Sequence, residues 1–241
     1  MRPVLFVWKG QRFHSYPVCL TLSFLVFAEA MAAQIIARRL PVFWSLAVTG
    51  IVLCAGVSGS RLLFVLSRWR EYRQRWRRVF ARGEAGASMF GGLVPIYAAG
   101  ALLWWATPLP VGAFLDMVAV AALPALFVGR LGCVLHGCCA GRATTSFLGI
   151  RLNPTDPPGM RRWPVAFFEM SSLVALGFPA RHLLVVNARP GFSFLALSAS
   201  YCLLRVLLDS LRAHPAREIT ISQKVALTIT VLNAIALVAM A

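Results

Sequence analysis

Val111-Gly112-Ala113-Phe114-Leu115-Asp116-Met117-Val118-Ala119-Val120-Ala121-Ala122-Leu123-Pro124-Ala125-Leu126-Phe127-Val128-Gly129 holds one acid and no base in nineteen residues. As a helix it is ~28 Å long at 1.5 Å per residue, the thickness of a bilayer's hydrocarbon core. It runs straight into Arg130-Leu131-Gly132-Cys133-Val134-Leu135-His136-Gly137-Cys138-Cys139-Ala140-Gly141-Arg142, two arginines, a histidine and three cysteines at the end of an apolar rod. Guanidinium groups that keep their proton suit a phosphate or carboxylate, and glycines let backbone approach a ligand or another helix closely. This stretch is the first candidate for an active site.

Working outward, Val18 to Ala37, Val42 to Leu66 and Val225 to Met240 are also long enough to span. The 241 residues are 59% hydrophobic and 13% charged, with mean hydropathy +0.73, which excludes an ordinary soluble domain. The expected fold is all-α: one polytopic membrane bundle over 1–241 with about seven spanning helices, near 17–37, 42–66, 88–106, 111–129, 164–181, 192–212 and 220–240. Pro41 after Arg38-Arg39, the Thr107-Pro108-Leu109-Pro110 turn and Asn187-Ala188-Arg189-Pro190-Gly191 punctuate it. The longest connection, 130–163, reads as a loop-rich active-site segment. Met1 to Tyr16 is charged and lacks a small-residue cleavage site, so no cleaved leader is expected.

The net charge is +16, from 24 Lys and Arg against eight acids. In a membrane chain this excess points to anionic lipid head groups rather than nucleic acid. Arg68, Arg70, Arg73, Arg75, Arg77, Arg78 and Arg82 alternate with Trp69, Tyr72 and Trp76, as in an arm lying at the interface. This arm shares a side with the N-terminus and the 130–163 segment, and the positive-inside rule makes that side cytoplasmic.

Glu29, Asp116, Glu169 and Asp209 fall within spanning segments. An ionised carboxylate near a helix centre costs about 2.5 to 3.5 kcal/mol, so each needs a partner or a wet cavity. Tyr201, Arg205, Asp209 and Arg212 recur at spacings of four, four and three and so share one face. A self-neutralising ion pair that holds the bundle accounts for part of this stripe. The second arginine alternatively leaves positive charge for an anionic ligand. Gly56 to Ser60 has small residues at helical spacing, as in close helix packing. Ser88-Met89-Phe90-Gly91-Gly92 opens the third segment, where the paired glycines serve either packing or approach to a phosphate.

Cys19, Cys54 and Cys202 lie in apolar segments and read as small hydrophobes. Cys133, Cys138 and Cys139 with His136 invite a metal test. Adjacent cysteines rarely face one tetrahedral ion and no second cysteine pair exists, so no metal or other cofactor is expected. A reactive thiol or redox pair and inert loop lining are the remaining alternatives.

Taken in order, these pieces resemble the bacterial prolipoprotein diacylglyceryl transferase family. The resemblance rests on His14-Ser15-Tyr16, Gly59-Ser60-Arg61-Leu62, Ser88 to Leu93, Gly129 to Arg142, Trp163-Pro164-Val165-Ala166-Phe167-Phe168-Glu169, Tyr201 to Arg212 and Ile219-Thr220-Ile221-Ser222-Gln223. It implies a multi-pass protein of the bacterial inner (plasma) membrane, with seven helices and a site near the outer face. The implied reaction moves a diacylglyceryl group from phosphatidylglycerol to the cysteine thiol of a lipoprotein precursor peptide, releasing glycerol 1-phosphate. It also implies an N-terminus outside, against the charge count, since substrate phosphates then explain the arginines.

Under the resemblance, Tyr16, Arg130, Gly141, Arg205 and Asp209 stand where the family keeps functional groups, with Asp209 replacing a glutamate. Arg130, Arg205 and Arg142 would hold the phosphate and Asp209 would orient an arginine. His136 or Tyr16 would accept the thiol proton. Gly91, Gly92, Gly141, Arg142, Glu169 and Arg212 complete the expected substrate-binding set. The chain departs from the family where Phe90 replaces a histidine, Cys133 and His136 replace asparagines and Cys138 replaces a glutamate. Thiols cannot do the hydrogen-bonding or acid-base work of an amide or carboxylate. Two other readings compete: an enzyme of this scaffold using its own Cys133, Cys138 or Cys139 on another acceptor, and a lipid-binding or transport protein whose buried charges line a pathway.

Overall fold

The computed structural model describes residues 4–74, 89–106, 110–137, 139–151, 156–186, 189–212 and 221–240. The order is β1 (Val4–Trp8), β2 (Gln11–His14), α1 (Ser15–Ala37), α2 (Val42–Ser67), α3 (Trp69–Tyr72), α4 (Met89–Ala106), α5 (Val111–His136), α6 (Val165–Val186), α7 (Phe192–Asp209) and α8 (Ile221–Met240). Among the described residues, seven long helices overlap the seven expected ranges, and the fold is an all-α membrane-type bundle. Five helices have a stretch long and apolar enough to cross a bilayer, namely α1, α2, α5, α7 and, in α8, Gln223–Met240. Gly92–Ala101 in α4 and Val165–Ala180 in α6 are shorter apolar stretches. Of the arginine arm, only residues up to 74 are described, and they hold the single turn of α3. There Arg61 and Arg68 lie over the Phe64 ring at 5.5 and 4.8 Å.

Three boundaries differ from expectation. Residues 4–14 form an antiparallel hairpin, because Lys9 and Gly10 both take positive φ (47° and 79°), the geometry of a two-residue type I′ turn. Phe6 and Phe13 stack across it with centroids 4.7 Å apart. Helix α5 continues through Gly129 to His136 instead of breaking at Arg130, and ends where Gly137 takes the left-handed conformation (φ 76°). Two glycines did not break the helix because Gly132 is where α1 presses in: a Cβ there would stand 2.7 Å from Cys19 Cβ. Helix α7 stops at Asp209, so Arg212 lies in the turn beyond and not on the stripe's helical face.

The core has three parts. Phe27, Met31 and Ile35 of α1 meet Val48 and Val52 of α2 and Phe114, Met117 and Val118 of α5. Leu123, Leu173, Leu197 and Tyr201 fill the space among α5, α6 and α7, and Cys202 packs on Ala226 and Ile229 of α8. Close crossings rely on small residues, as expected for Gly56: a Cβ on Gly92 would stand 3.0 Å from the Gly56 carbonyl oxygen. A buried polar knot ties α4, α7 and α8, with Asn233 Nδ2 donating to Ser198 Oγ (2.8 Å) and the Tyr97 hydroxyl donating to Asn233 Oδ1 (2.9 Å). In lipid such bonds substitute for the hydrophobic drive that water supplies elsewhere.

Asp116 is a helix cap. Its carboxylate accepts from the backbone N–H of Gly191 (2.8 Å) and Phe194 (2.7 Å), which satisfies orphan donors of α7 and places negative charge at its positive end. The costly acid on α5 is therefore spent on seating α7.

Beyond α5, residues 139–151 and 156–163 fold into a small head on the bundle. Backbone N–H groups of Gly141, Thr144 and Ile150 donate to the carbonyls of Trp163, Arg161 and Arg162, and Arg142 N–H donates to Leu211 O, each near 2.9 to 3.0 Å. Arg162 clasps Asp156 through Nε (2.7 Å) and Nη2 (2.8 Å). This bidentate hydrogen bonding holds the Asp156 carboxyl below its ordinary value.

Two outcomes follow. Asp116→Ala leaves the Gly191 and Phe194 N–H groups unpaired and should cost about 1 to 3 kcal/mol, read as an earlier midpoint in detergent unfolding, whereas Asp116→Asn should recover part of it. Because Asp156 is depressed when folded, its clasp contributes fully above the ordinary carboxyl value near 3.9 and is lost as pH falls through the folded value. Hydrogen exchange across 141–163, corrected for intrinsic rate, should rise at low pH in wild type and lose that step in Arg162→Gln.

Candidate active site

The site forms where α5, α6 and α7 meet beneath the head. Trp163-Pro164 leads into α6, whose second turn brings Glu169 inward, with 0% of its surface exposed. Arg130 reaches it from α5, its Nε 2.6 Å from Oε2. Arg205 reaches it from one turn before the end of α7 and contacts Oε1 through Nη1. Arg212 comes from the turn after α7, its Nη2 donating to Oε1 at 3.2 Å.

The head sets that last approach. Gly141 and Arg212 are bridge partners, and a Cβ on Gly141 would lie 2.6 Å from Leu211 O and 2.7 Å from Trp163 Cβ. Only glycine lets the strand come this close. Gly141 thus acts through the backbone, by fixing where Arg212 stands.

Three guanidinium groups around one carboxylate, with Asp209 Oδ1 3.6 Å from Arg212 Nε, leave one positive charge in excess. The donors exceed the acceptors as well. Nε of Arg205 is buried without a hydrogen-bond acceptor among the described residues, and Nε of Arg212 has only its 3.6 Å contact with Asp209. Buried donors in that state carry a desolvation cost that an anion would relieve. The Tyr201 hydroxyl hydrogen-bonds Arg130, and Cys133 and Cys139 lie within electrostatic reach of it. Cys139 also lies within reach of Arg205 and has a left-handed backbone (φ 61°).

Of the expected catalytic residues, Arg130, Arg205 and Asp209 come together. Tyr16 lies at their level but on another side of α5: its Cα would be 3.5 Å from a Cβ on Gly132, two residues and so ~200° around the helix from Arg130. His136 is not in the cluster; it is exposed on the last turn of α5, its ring edge-on to His14 with centroids 6.5 Å apart. Glu169 and Arg212 of the expected binding set are central. Arg142 contributes its backbone, and its side chain is exposed. Gly92 is taken up by packing on Gly56, Gly91 is described only by its place in α4, and Cys138 lies outside the described residues. Among the described residues no cluster of three or more His, Cys, Asp or Glu could hold a metal.

Two features were not foreseen. Arg205, with Asp209 in electrostatic range one turn away, also pairs across the bundle with Glu169, and Tyr201 joins the site through Arg130. The second was partly visible, since Tyr201 lies on the stripe of Arg205 and Asp209. The first needs the helix rotations, which spacing does not supply.

Comparison with known proteins gives one consistent result. Residues 3–240 match the family described as prolipoprotein diacylglyceryl transferase. A phosphatidylglycerol–prolipoprotein diacylglyceryl transferase 2 from Clostridium perfringens is 29% identical over 132 residues, 54% of this chain and 51% of that protein; the match to this relative spans about half its length. A phosphatidylglycerol–prolipoprotein diacylglyceryl transferase from Dehalococcoides mccartyi is 26% identical over 217 residues, 82% of each chain. One from Azospirillum brasilense is 28% identical over 180 residues, 73% of this chain and 65% of that protein. With the match running from one end to the other, this chain belongs to the prolipoprotein diacylglyceryl transferase family.

Proposed function

We propose that the protein transfers a diacylglyceryl group from phosphatidylglycerol to the cysteine thiol of a lipoprotein precursor, as one integral domain of a bacterial inner membrane with its site toward the outer face. The observation that carries this reading is the buried arginine cluster around Glu169, with donors left over for one more anion. Family membership supports the reaction, and the names of relatives supply phosphatidylglycerol and prolipoprotein as substrates.

The lipid phosphate takes the place on Arg205 and Arg212 that Glu169 and Asp209 leave open, with Arg130 steadied by Tyr201. The acceptor sulfur forms a bond to the glyceryl carbon as that carbon's bond to the phosphate ester oxygen breaks. Both electrons go to the leaving oxygen, so a singly charged diester becomes a phosphate monoester with a second ionisable oxygen. Charge thus grows where guanidinium groups are already aligned in a dry site. The thiol proton passes to His136 or Tyr16 at the same end of the bundle, and the nearby cations favour the thiolate.

A thiol of the chain itself serves poorly as a way-station. Alkylation of Cys139 would give a thioether, and a thiolate departs from saturated carbon too reluctantly to pass the group on. Cys139→Ser should therefore keep most of the activity, and loss of turnover in that variant with retained folding would restore the chain-nucleophile reading. The main test uses labelled phosphatidylglycerol, a precursor peptide and the purified chain in vesicles. Wild type should form diacylglyceryl-peptide and glycerol 1-phosphate, and Arg205→Ala should lower kcat/KM about a hundredfold or more. Absence of product in wild type, or an unchanged rate in Arg205→Ala, would reject the proposal.

A further inference from the structure

Three of the four carboxylates in spanning helices have partners: Asp116 caps α7, and Glu169 and Asp209 belong to the arginine cluster. Glu29 does not. It is exposed on α1, and among the described residues no cation or hydrogen-bond donor pairs with it. It lies two residues from both Phe27 and Met31, which are buried in the α1, α2 and α5 core. At ~100° per residue it therefore points ~200° away from that seam, into the surrounding lipid. It stands fourteen residues after Ser15 and eight before Ala37, or ~21 Å and ~12 Å along the axis. A carboxyl on a two-carbon stem cannot reach water at either end. Leu22, Leu25 and Ile36 continue the face as exposed apolar side chains. Ala28 and Ala33 flank Glu29 and are also exposed, which lets another helix approach closely.

We propose that this face of α1 docks the apolar segment of the lipoprotein precursor, and that Glu29 pairs with a lysine or arginine at that segment's N-terminal end. The inference rests on the transferase reading and adds where the precursor lies in the membrane. A secretory leader has a cationic start followed by roughly 7 to 15 apolar residues and a short cleavage region, too few to span a bilayer as a helix. With its cysteine at the level of the site, about fourteen helical residues back bring its first cations ~21 Å down, the depth of Glu29. α1 begins at the level of the site, because Tyr16 at its start lies against Gly132, two residues along α5 from Arg130. Sign favours this occupant as well. A second copy meeting the same face about a twofold axis would set Glu29 against Glu29, a like-charge contact in lipid.

The test uses the full chain in phosphatidylglycerol nanodiscs with two precursor peptides, one with lysines in its N-terminal region and one with glutamines there. In wild type the lysine peptide should show the lower KM. Glu29→Gln should raise that KM about fivefold or more with kcat held, and leave the glutamine peptide unchanged. Glu29→Lys should favour a peptide carrying glutamates at those positions. A photo-crosslinking residue replacing Ile36 should capture the lysine peptide, and less of it when Glu29→Gln is added. Equal KM values across proteins and peptides, or a crosslink joining two copies of the chain instead of peptide, would overturn the proposal. If wild type transfers nothing, the function reading fails, while the crosslink still decides the docking surface.

Discussion

Everything at the functional end of this molecule depends on one buried carboxylate, Glu169, holding three guanidinium groups. Arg130, Arg205 and Arg212 come from α5, α7 and the turn beyond α7, and Glu169 is where they converge. Leaving any of these charges alone in a low-dielectric interior is costly, and removal of the acid would leave Asp209 to face the three cations. The same contacts are what the proposed function builds on. One acid holds three guanidinium groups but not all of their donors, and the proposal gives that surplus to a phosphate.

Around that centre the chain uses small residues to let backbones close. Gly132 admits α1 against α5, Gly141 admits the head against Leu211 and Trp163, and Gly112 lies where a Cβ would stand 2.8 Å from the Pro190 backbone. Each contact fixes an angle at which a charged side chain arrives. Asp116 adds a fixed electrostatic seat for α7, so the helix that carries Arg205 is held at its far end by a hydrogen-bonded cap. A polar group inside the membrane thus does positional work at both ends of α7.

Much of this was legible in the sequence. Apolar runs of span length located the seven long helices, and the energetic cost of acids in lipid marked Asp116, Glu169 and Asp209 before any contact was known. The four, four, three spacing put Tyr201, Arg205 and Asp209 on one face correctly, but it carried Arg212 past the real end of the helix. What could not be read was which face meets which. Arg205 meets Glu169 across the bundle because of how α6 and α7 are rotated about their axes, a property of packing. The N-terminal hairpin and the helical continuation to His136 were missed for local reasons. Lys9-Gly10 is a weak turn signal in a basic segment, and Gly129 and Gly132 looked like helix breakers until close packing on α1 gave them a use.

Of the departures, His136 stands outside the arginine cluster, whereas Cys133 lies within electrostatic reach of Arg130. The most direct measurement is an experimental structure of the chain in nanodiscs of phosphatidylglycerol, read at the donors of Arg205 and Arg212. The account predicts a lipid phosphate within ~3 Å of Nε of one or both, with Glu169 still paired to Arg130. Phosphate density elsewhere, with all three arginines closed onto Glu169 and Asp209, would contradict it.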